Sequence, residues 1–315
     1  MNKVLVTGGA GFVGSELVRL LLDNGYKVAV LDNLRFGGES LIGLVNNPSL
    51  EVIVGDIRNR RDIKKGLKNV DAIIHLAAIV GYPACDQEPE LARQTNVEGT
   101  LNLLKEKGKR LPLIFASTGS NYGILRDKKC TEESKLNPLT TYGRTKTEAE
   151  KACLDSGAIV LRFATGFGLS LRLRLDLMPN SFVYHQVRDR HLVVYESNFR
   201  RTFIHVSDMA RAFLFMTENY GRVKERIYNI GHESMNLTKK DIALTVKDQV
   251  EKICKFTPYV HFADFGKDAD QRDYEVDYDR IRKEGFSLQK DLKEALAEVI
   301  RAVRLLNIKS AYGNV

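Results

Sequence analysis

KVLVTGGAGFVG, residues 3–14, decides the fold. Val4, Leu5 and Val6 form a short apolar, β-branched run, the pattern of a buried strand. Gly8, Gly11 and Gly14 follow at three-residue spacing, and Phe12 to Leu22 has the apolar spacing of an amphipathic helix. A strand that turns into a helix through glycines points backbone N–H groups out of the helix start, where they can hold a pyrophosphate. An ordinary tight turn produces the same spacing, so the triplet needs its context. A second apolar run, Val28 to Leu31, supplies it by ending in Asp32. A carboxylate there accepts hydrogen bonds from an adenosine ribose and repels a 2′-phosphate, which favours NAD over NADP. Arg35 lies close to it and is either a counterweight to that choice or a solvated surface side chain.

Beyond Asp32 the rhythm of strand and helix continues. A loop rich in Gly and Asn, Asn33 to Pro48, leads to a strand at Glu51–Val54, and Asp71–Leu76 reads as the next. Asp56 either faces an adenine amino group or caps a helix. Ala77 and Ala78 are small enough for a flat cofactor to lie against the backbone. A helix is expected from about Pro89 to Lys107, with Asn96 inside it as core glue or as a group that holds a site. Pro112–Ala116 is a further strand, ending in Ser117-Thr118. This alternation predicts an α/β fold: a Rossmann-type, doubly wound parallel sheet with helices on both faces. Ligands of such sheets sit beyond the C-terminal strand ends. The cofactor residues expected there are Gly8, Gly11, Phe12, Val13, Asp32, Asn33, Asp56, Ile57, Leu76, Ala77, Ala78 and Asn96, joined by Tyr142 and Lys146.

Composition limits the alternatives. The 315 residues are 43% hydrophobic, enough for a substantial core. The 48 Lys and Arg against 40 Asp and Glu give a net charge of +8. The basic residues are dispersed among acids without aromatic interleaving, so no nucleic-acid partner is expected. Cys85, Cys130, Cys153 and Cys254 form no CxxC pair and the histidines show no ligand spacing, so neither a metal site nor a disulfide framework is expected. Scattered thiols, no room for a signal peptide before the first strand and no run of bilayer length point to a cytoplasmic protein without a membrane partner.

Tyr142 and Lys146 stand four apart in TTYGRTKTEAEK, and Thr141–Leu154 reads as a helix, so they share one face. Free tyrosine has a pKa of about 10, and lowering it by ~3 units takes about 4 kcal/mol. A cation at roughly 4 Å in an effective dielectric near 20 supplies that order of energy. The ammonium of Lys146 can provide part of it and also hold a ribose, while Thr118 hydrogen-bonds a substrate oxygen. A lone YxxxK is usually a surface helix face. Following a dinucleotide pattern, it makes Thr118, Tyr142 and Lys146 the expected catalytic set for redox chemistry at a secondary alcohol.

TGGAGFVG, HLAA, STGSNYG (Ser117–Gly123), YGRTK, RFATGFG (Arg162–Gly168) and RRTFIHVSD (Arg200–Asp208) resemble landmarks of the extended short-chain dehydrogenases, the NAD-dependent nucleotide-sugar epimerase/dehydratase group. LRLRLDLMPNSFVYHQVRD (Leu171–Asp189), NFRRTFIHVSD and GKDADQRDY (Gly266–Tyr274) are similar to the GDP-heptose 4-dehydrogenases of capsule synthesis. The resemblance implies a nucleotide-diphosphate sugar as substrate, a GDP-sugar above others, and oxidation at C4. Asn180, Arg201 and Arg272 match family positions near the diphosphate or nucleotide. Arg174 and Arg172 are further cationic candidates. The group's dehydratases carry Asp and Glu after the catalytic Thr. Here Gly119 and Ser120 stand in those places, which argues against dehydration and against the decarboxylase variant.

After Gly168 the strand-helix rhythm breaks, which predicts a smaller, discontinuous C-terminal substrate lobe. The expected division is 1–168 plus about 201–225 for the cofactor domain, and about 169–200 plus 226–315 for the lobe. Phe203–Val206 and the helix Asp208–Asn219 are expected to return to the main sheet, and Leu288–Leu306 to be a packing helix. Apolar helix faces around Val97–Leu104 and Thr145–Leu154 suggest a homodimer. A 4-epimerase and a non-catalytic NAD-binding regulator are the rival readings.

Overall fold

The computed structural model describes residues 1–109, 111–123, 129–223, 226–266, 273–306 and 313. The chain opens with β1 (Lys3–Thr7), α1 (Phe12–Asp23), β2 (Lys27–Asp32) and β3 (Leu50–Val54). Between β2 and β3 the expected loop holds a 3₁₀ turn, Glu39–Leu44. Next come α2 (Arg60–Gly66), β4 (Ala72–His75) and α3 (Tyr82–Gln87). The single helix expected over Pro89–Lys107 is three joined segments: α4 (Pro89–Arg93), a π-helical turn (Gln94–Gly99) and α5 (Thr100–Lys107). Then follow β5 (Leu113–Thr118), β6 (Lys129–Cys130), α6 (Thr141–Asp155), β7 (Ile159–Phe163) and β8 (Thr165–Phe167).

The second half adds α7 (Met178–Tyr184), β9 (His191–Tyr195), β10 (Arg200–His205), α8 (Val206–Glu218) and α9 (Tyr220–Val223). It continues through β11 (Ile227–Ile230), β12 (Asn236–Thr238), α10 (Lys239–Cys254) and β13 (Tyr259–Ala263), and ends with β14 (Glu275–Val276), α11 (Asp279–Lys283) and α12 (Leu292–Leu305).

Seven strands form one parallel sheet in the order β11-β7-β5-β4-β1-β2-β3. The chain winds outward from β1 in one direction and restarts from β4 in the other, so the strand ends of β1 and β4 flank a topological switch point. One face is covered by a core that includes Leu17, Val18, Leu21 of α1 and Ala212, Phe213, Met216 of α8. The opposite face is closed by Ile63, Leu103, Ala149 and Cys153 from α2, α5 and α6. A third core, with Val183, Ile242, Val246, Leu296 and Ile300, lies among α7, α10 and α12.

Two expectations are corrected here. The strand containing Phe203 does not return to the main sheet: β10 pairs with β8 and β12 in a separate three-stranded sheet, and only its following helix α8 packs back on α1. The strand that completes the main sheet is β11, beyond residue 225. The apolar faces around Val97–Leu104 and Thr145–Leu154 are not free either. Val97, Leu103, Ala149 and Cys153 are buried within the protomer, and Leu101 is the large apolar side chain left exposed on them.

Helix α6 is held at its base by a buried ion pair. Glu150 accepts from the Arg162 guanidinium at 2.6 Å, from Asn121 Nδ2 at 2.8 Å and from Ser117 Oγ at 2.5 Å. Burial opposes the guanidinium's charge, but its bonds to Glu150 more than offset this and raise its pKa. Removing one partner of such a pair strands the other charge, so Glu150→Ala should lose about 3–5 kcal/mol of stability in urea unfolding. The double variant Glu150→Leu/Arg162→Met should lose less than Glu150→Ala alone.

Candidate active site

Gly8 adopts φ +74°, and a Cβ there would lie 2.8 Å from the backbone nitrogen of Ala77. The loops after β1 and β4 therefore touch backbone to backbone, and only glycine fits. A Cβ on Gly14 would stand 2.1 Å from the Gly8 carbonyl oxygen, so the first turn of α1 can close against the loop only without a side chain. These glycines open a cavity of about 1100 Å³ at the strand ends. A cavity of that size exceeds a typical small-molecule site and suits two extended ligands.

Asp32, at the end of β2, lines the cavity and accepts from Ala10 N at 3.0 Å and Leu34 N at 2.9 Å. Burial pushes its carboxyl up, and those two N–H groups pull it partly back. Arg35 is ion-paired to Glu88, so its charge is matched rather than left for a 2′-phosphate. The glycine cradle and the Asp32 carboxylate at the end of β2 together fit NAD. Gly8, Gly11, Phe12, Val13, Asp32, Asn33, Ile57, Leu76, Ala77 and Ala78 all line the cavity. Two expected cofactor residues do not. Asp56 accepts from Arg58 and Asn33, and the Arg58 hydrogen bonds hold its pKa down to about 2. Nor does it cap α2, where Asn59 does so.

Asn96 is the other, and it is a brace. Its side chain takes the N–H of Ile79 at 2.8 Å and donates to the Ile79 carbonyl at 3.0 Å and to Thr145 Oγ1 on α6 at 3.1 Å. The π turn places it there, and Gly99 lets the turn seat on Ile57, which a Cβ would meet at 2.7 Å. A buried chain runs onward from it. Thr7 Oγ1 accepts from the N–H groups of Leu76 and Ala77, both at 3.2 Å, which directs its own proton to His75 Nδ1 at 2.6 Å. His75 Nε2 then donates to Thr100 Oγ1 at 2.9 Å, and Thr100 donates to the Asn96 carbonyl at 2.7 Å. This assignment requires a neutral imidazole, and burial, helped by nearby Lys146, lowers the His75 pKa to about 3.

Tyr142 and Lys146 rise from the first two turns of α6 and line the cavity with Thr118 at the end of β5. Lys146 is 3% exposed, and its ammonium lies 4.1 Å from the centroid of the Phe115 ring. Burial, the largest influence, lowers its pKa to about 8. Thr118 accepts from Ser120 N and donates to Ser120 Oγ, both at 3.1 Å. The cavity thus gathers a phenol, an ammonium on the same helix face and a hydroxyl beside the cofactor cradle. That set can remove a proton from an alcohol.

The second half of the chain adds guanidinium groups to the cavity. Arg174 and Arg201 line it, Arg174 paired with Asp176 and Arg201 2% exposed with Nη1 donating to the Arg200 carbonyl at 3.0 Å. Asn180 is off the wall: it binds both backbone groups of Gly168 and the Arg174 carbonyl, and so shapes the loop that carries Arg174. Arg272 lies outside the described residues. Sequence reading missed Phe36, whose ring lies 4.3 Å from the Arg172 guanidinium, and Tyr274, which donates to the Gly119 carbonyl at 3.0 Å. It also missed Lys239 and the β9 residues Val193–Tyr195, all on the wall. Phe36, four residues past Asp32, and Tyr274, the end of the GKDADQRDY stretch, had a local signal, whereas only the tertiary fold brings Lys239 and β9 to the cavity.

The profile described as "NAD dependent epimerase/dehydratase family" matches residues 4–231. A putative UDP-glucose 4-epimerase of Methanocaldococcus jannaschii is 32% identical over 240 residues, covering 72% of this chain and 76% of the relative. The UDP-glucose 4-epimerase of Thermotoga maritima, solved with UDP-glucose, superposes with a TM-score of 0.83 at 26% identity, over 96% of this chain and 99% of that one. MoeE5, solved with UDP-glucuronic acid and NAD, gives 0.80 at 27% identity, over 96% and 99%.

Tyr142→Phe should lower turnover by about 10²–10⁴-fold while NAD binding, followed by fluorescence quenching, is retained. The Lys146 pKa of about 8 lies below its ordinary 10.5. The unfolded chain therefore binds more protons between those values, and this residue makes stability rise with pH across that window. Lys146→Met should remove that rise in thermal melts, unfold at a higher temperature than the parent at pH 7, and lose turnover.

Proposed function

The chain belongs to the NAD dependent epimerase/dehydratase family, and on that premise we propose that it oxidises C4 of a nucleotide-activated sugar. The observation that carries this reading is that Thr118, Tyr142 and Lys146 line the same cavity as the glycine cradle, Arg174 and Arg201. In this reading the Tyr142 phenolate takes the proton of the sugar hydroxyl. Lys146 stabilises that phenolate and holds the nicotinamide ribose. Thr118 hydrogen-bonds the sugar oxygen as the alcohol becomes a ketone. NAD, held at the glycine cradle and Asp32, would supply the hydride acceptor for that carbon. Arg201, with Arg272, grips the diphosphate, since a guanidinium pairs with phosphate oxygens in a fixed fork. Gly119 and Ser120 supply no carboxyl group after Thr118, which favours simple oxidation over dehydration.

The similarity of Leu171–Asp189 and Gly266–Tyr274 to the GDP-heptose 4-dehydrogenases supports a GDP-linked heptose or hexose as substrate and a role in surface polysaccharide synthesis. The relatives named as UDP-glucose 4-epimerases support a second reading, in which the 4-ketone is reduced again on its other face. A homodimer in the cytoplasm belongs to the same proposal. In the structure, no helix of the described residues is long and apolar enough to cross a membrane.

Incubation of the purified enzyme with GDP-, UDP-, CDP- and dTDP-sugars, read by NMR and mass spectrometry, tests both readings. A dehydrogenase gives a 4-keto product with one NADH formed per turnover. An epimerase gives the C4 epimer with no net NADH. Turnover of none of these sugars would overturn the proposal.

A further inference from the structure

Lys239 is a charged side chain held inside the protein, its ammonium 5.8 Å from the centroid of the Phe199 ring. It is the first residue of α10, directly after the capping residue Thr238, and it is 2% exposed. Its position follows from strand register. Arg201 pairs with Leu237 across β10 and β12, and the next contact along the ribbon is the Lys239 N–H to the Phe199 carbonyl at 3.1 Å. This register brings the start of α10 alongside the end of β10, and Arg201 and Lys239 both line the cavity.

The wall beside Lys239 is the edge of β9. Tyr259 N donates to the Arg190 carbonyl at 2.9 Å, so the even-numbered residues of β9 turn their backbone groups to β13. Alternation puts the backbone groups of Val193 and Tyr195 on the other edge, and there the Tyr195 carbonyl accepts from Lys239 Nζ at 3.2 Å. A planar ring lying edge-on to this strand meets amide groups and an ammonium together. Next to a strand carbonyl, an ammonium suits a ring edge that pairs a keto oxygen with an N–H, as in guanine and uracil. Adenine and cytosine present an amino group at that point, and two donors would face each other.

We propose that Lys239 sets nucleobase specificity, donating to the ring keto oxygen of a guanine or uracil nucleotide whose diphosphate lies at Arg201. This rests on the nucleotide-sugar reading above. The test is calorimetric titration of the NAD-loaded protein with GDP, UDP, ADP and CDP. The parent should bind GDP or UDP about tenfold or more tightly than ADP and CDP. Lys239→Met should remove most of that gap by weakening the keto bases alone, and Lys239→Arg should keep the preference. Equal weakening of all four by Lys239→Met would assign the residue to phosphate and overturn the proposal, as would an unchanged preference. If Lys239→Met fails to hold NAD, the parent and Lys239→Arg decide, and a parent without base preference overturns the proposal. Binding of none of the four nucleotides would overturn the nucleotide-sugar reading itself.

Discussion

The neutral imidazole of His75 joins two parts of the molecule that the chemistry needs in register. Through Thr7 it reaches the backbone that meets Gly8, and through Thr100 and Asn96 it reaches Thr145 on the helix that carries Tyr142 and Lys146. Each link is a buried hydrogen bond with its donor and acceptor fixed by the next, so reversing or protonating one member leaves a buried group unmatched. The cofactor cradle and the phenol are then held by one chain of contacts. Separate loops could drift apart.

The same helix is anchored at its other end. Tyr142, Lys146 and Glu150 fall one turn apart along a single stripe, and each has a different task. The first two face the cavity and the third binds Ser117, Asn121 and Arg162 below it. Ser117 directly precedes Thr118, so the Glu150 carboxylate ties α6 to the very strand end that carries the third candidate catalytic group. A low-dielectric setting for Lys146 follows from this tight docking. Its ammonium lies over Phe115 rather than in water, which raises the influence of its charge on a neighbouring phenol.

Local chemistry made some of this legible from the residues. Gly8 to Gly14 and Asp32 lie on one strand–helix–strand unit, and Tyr142 and Lys146 on one helix, so their spacing carries their geometry. Asn96 was readable as either glue or site, and the π turn that turns its amide toward Ile79 leaves no mark in a helical pattern. Phe203–Val206 looks like any buried strand. Which strands it pairs with is decided by partners more than thirty residues away in both directions. Arg201, Lys239 and Tyr195 converge only through that pairing, so no window of sequence contains the site they form. Asn59–Gly66 gives too short a helix for periodicity to reveal.

The late arrival of β11 has a consequence for how the protein can be taken apart. The chain leaves the main sheet after β7, contributes Arg172, Arg174 and Arg201 to the cavity wall, and comes back some sixty residues later to cover the edge of β7. A fragment stopped at residue 168 would present that edge bare, a template for pairing with other chains. Swapping substrate specificity between relatives while keeping the native edge strand therefore takes three splice points, one after β7 and one on either side of β11, because a single crossover after β7 would graft a foreign edge strand onto the sheet.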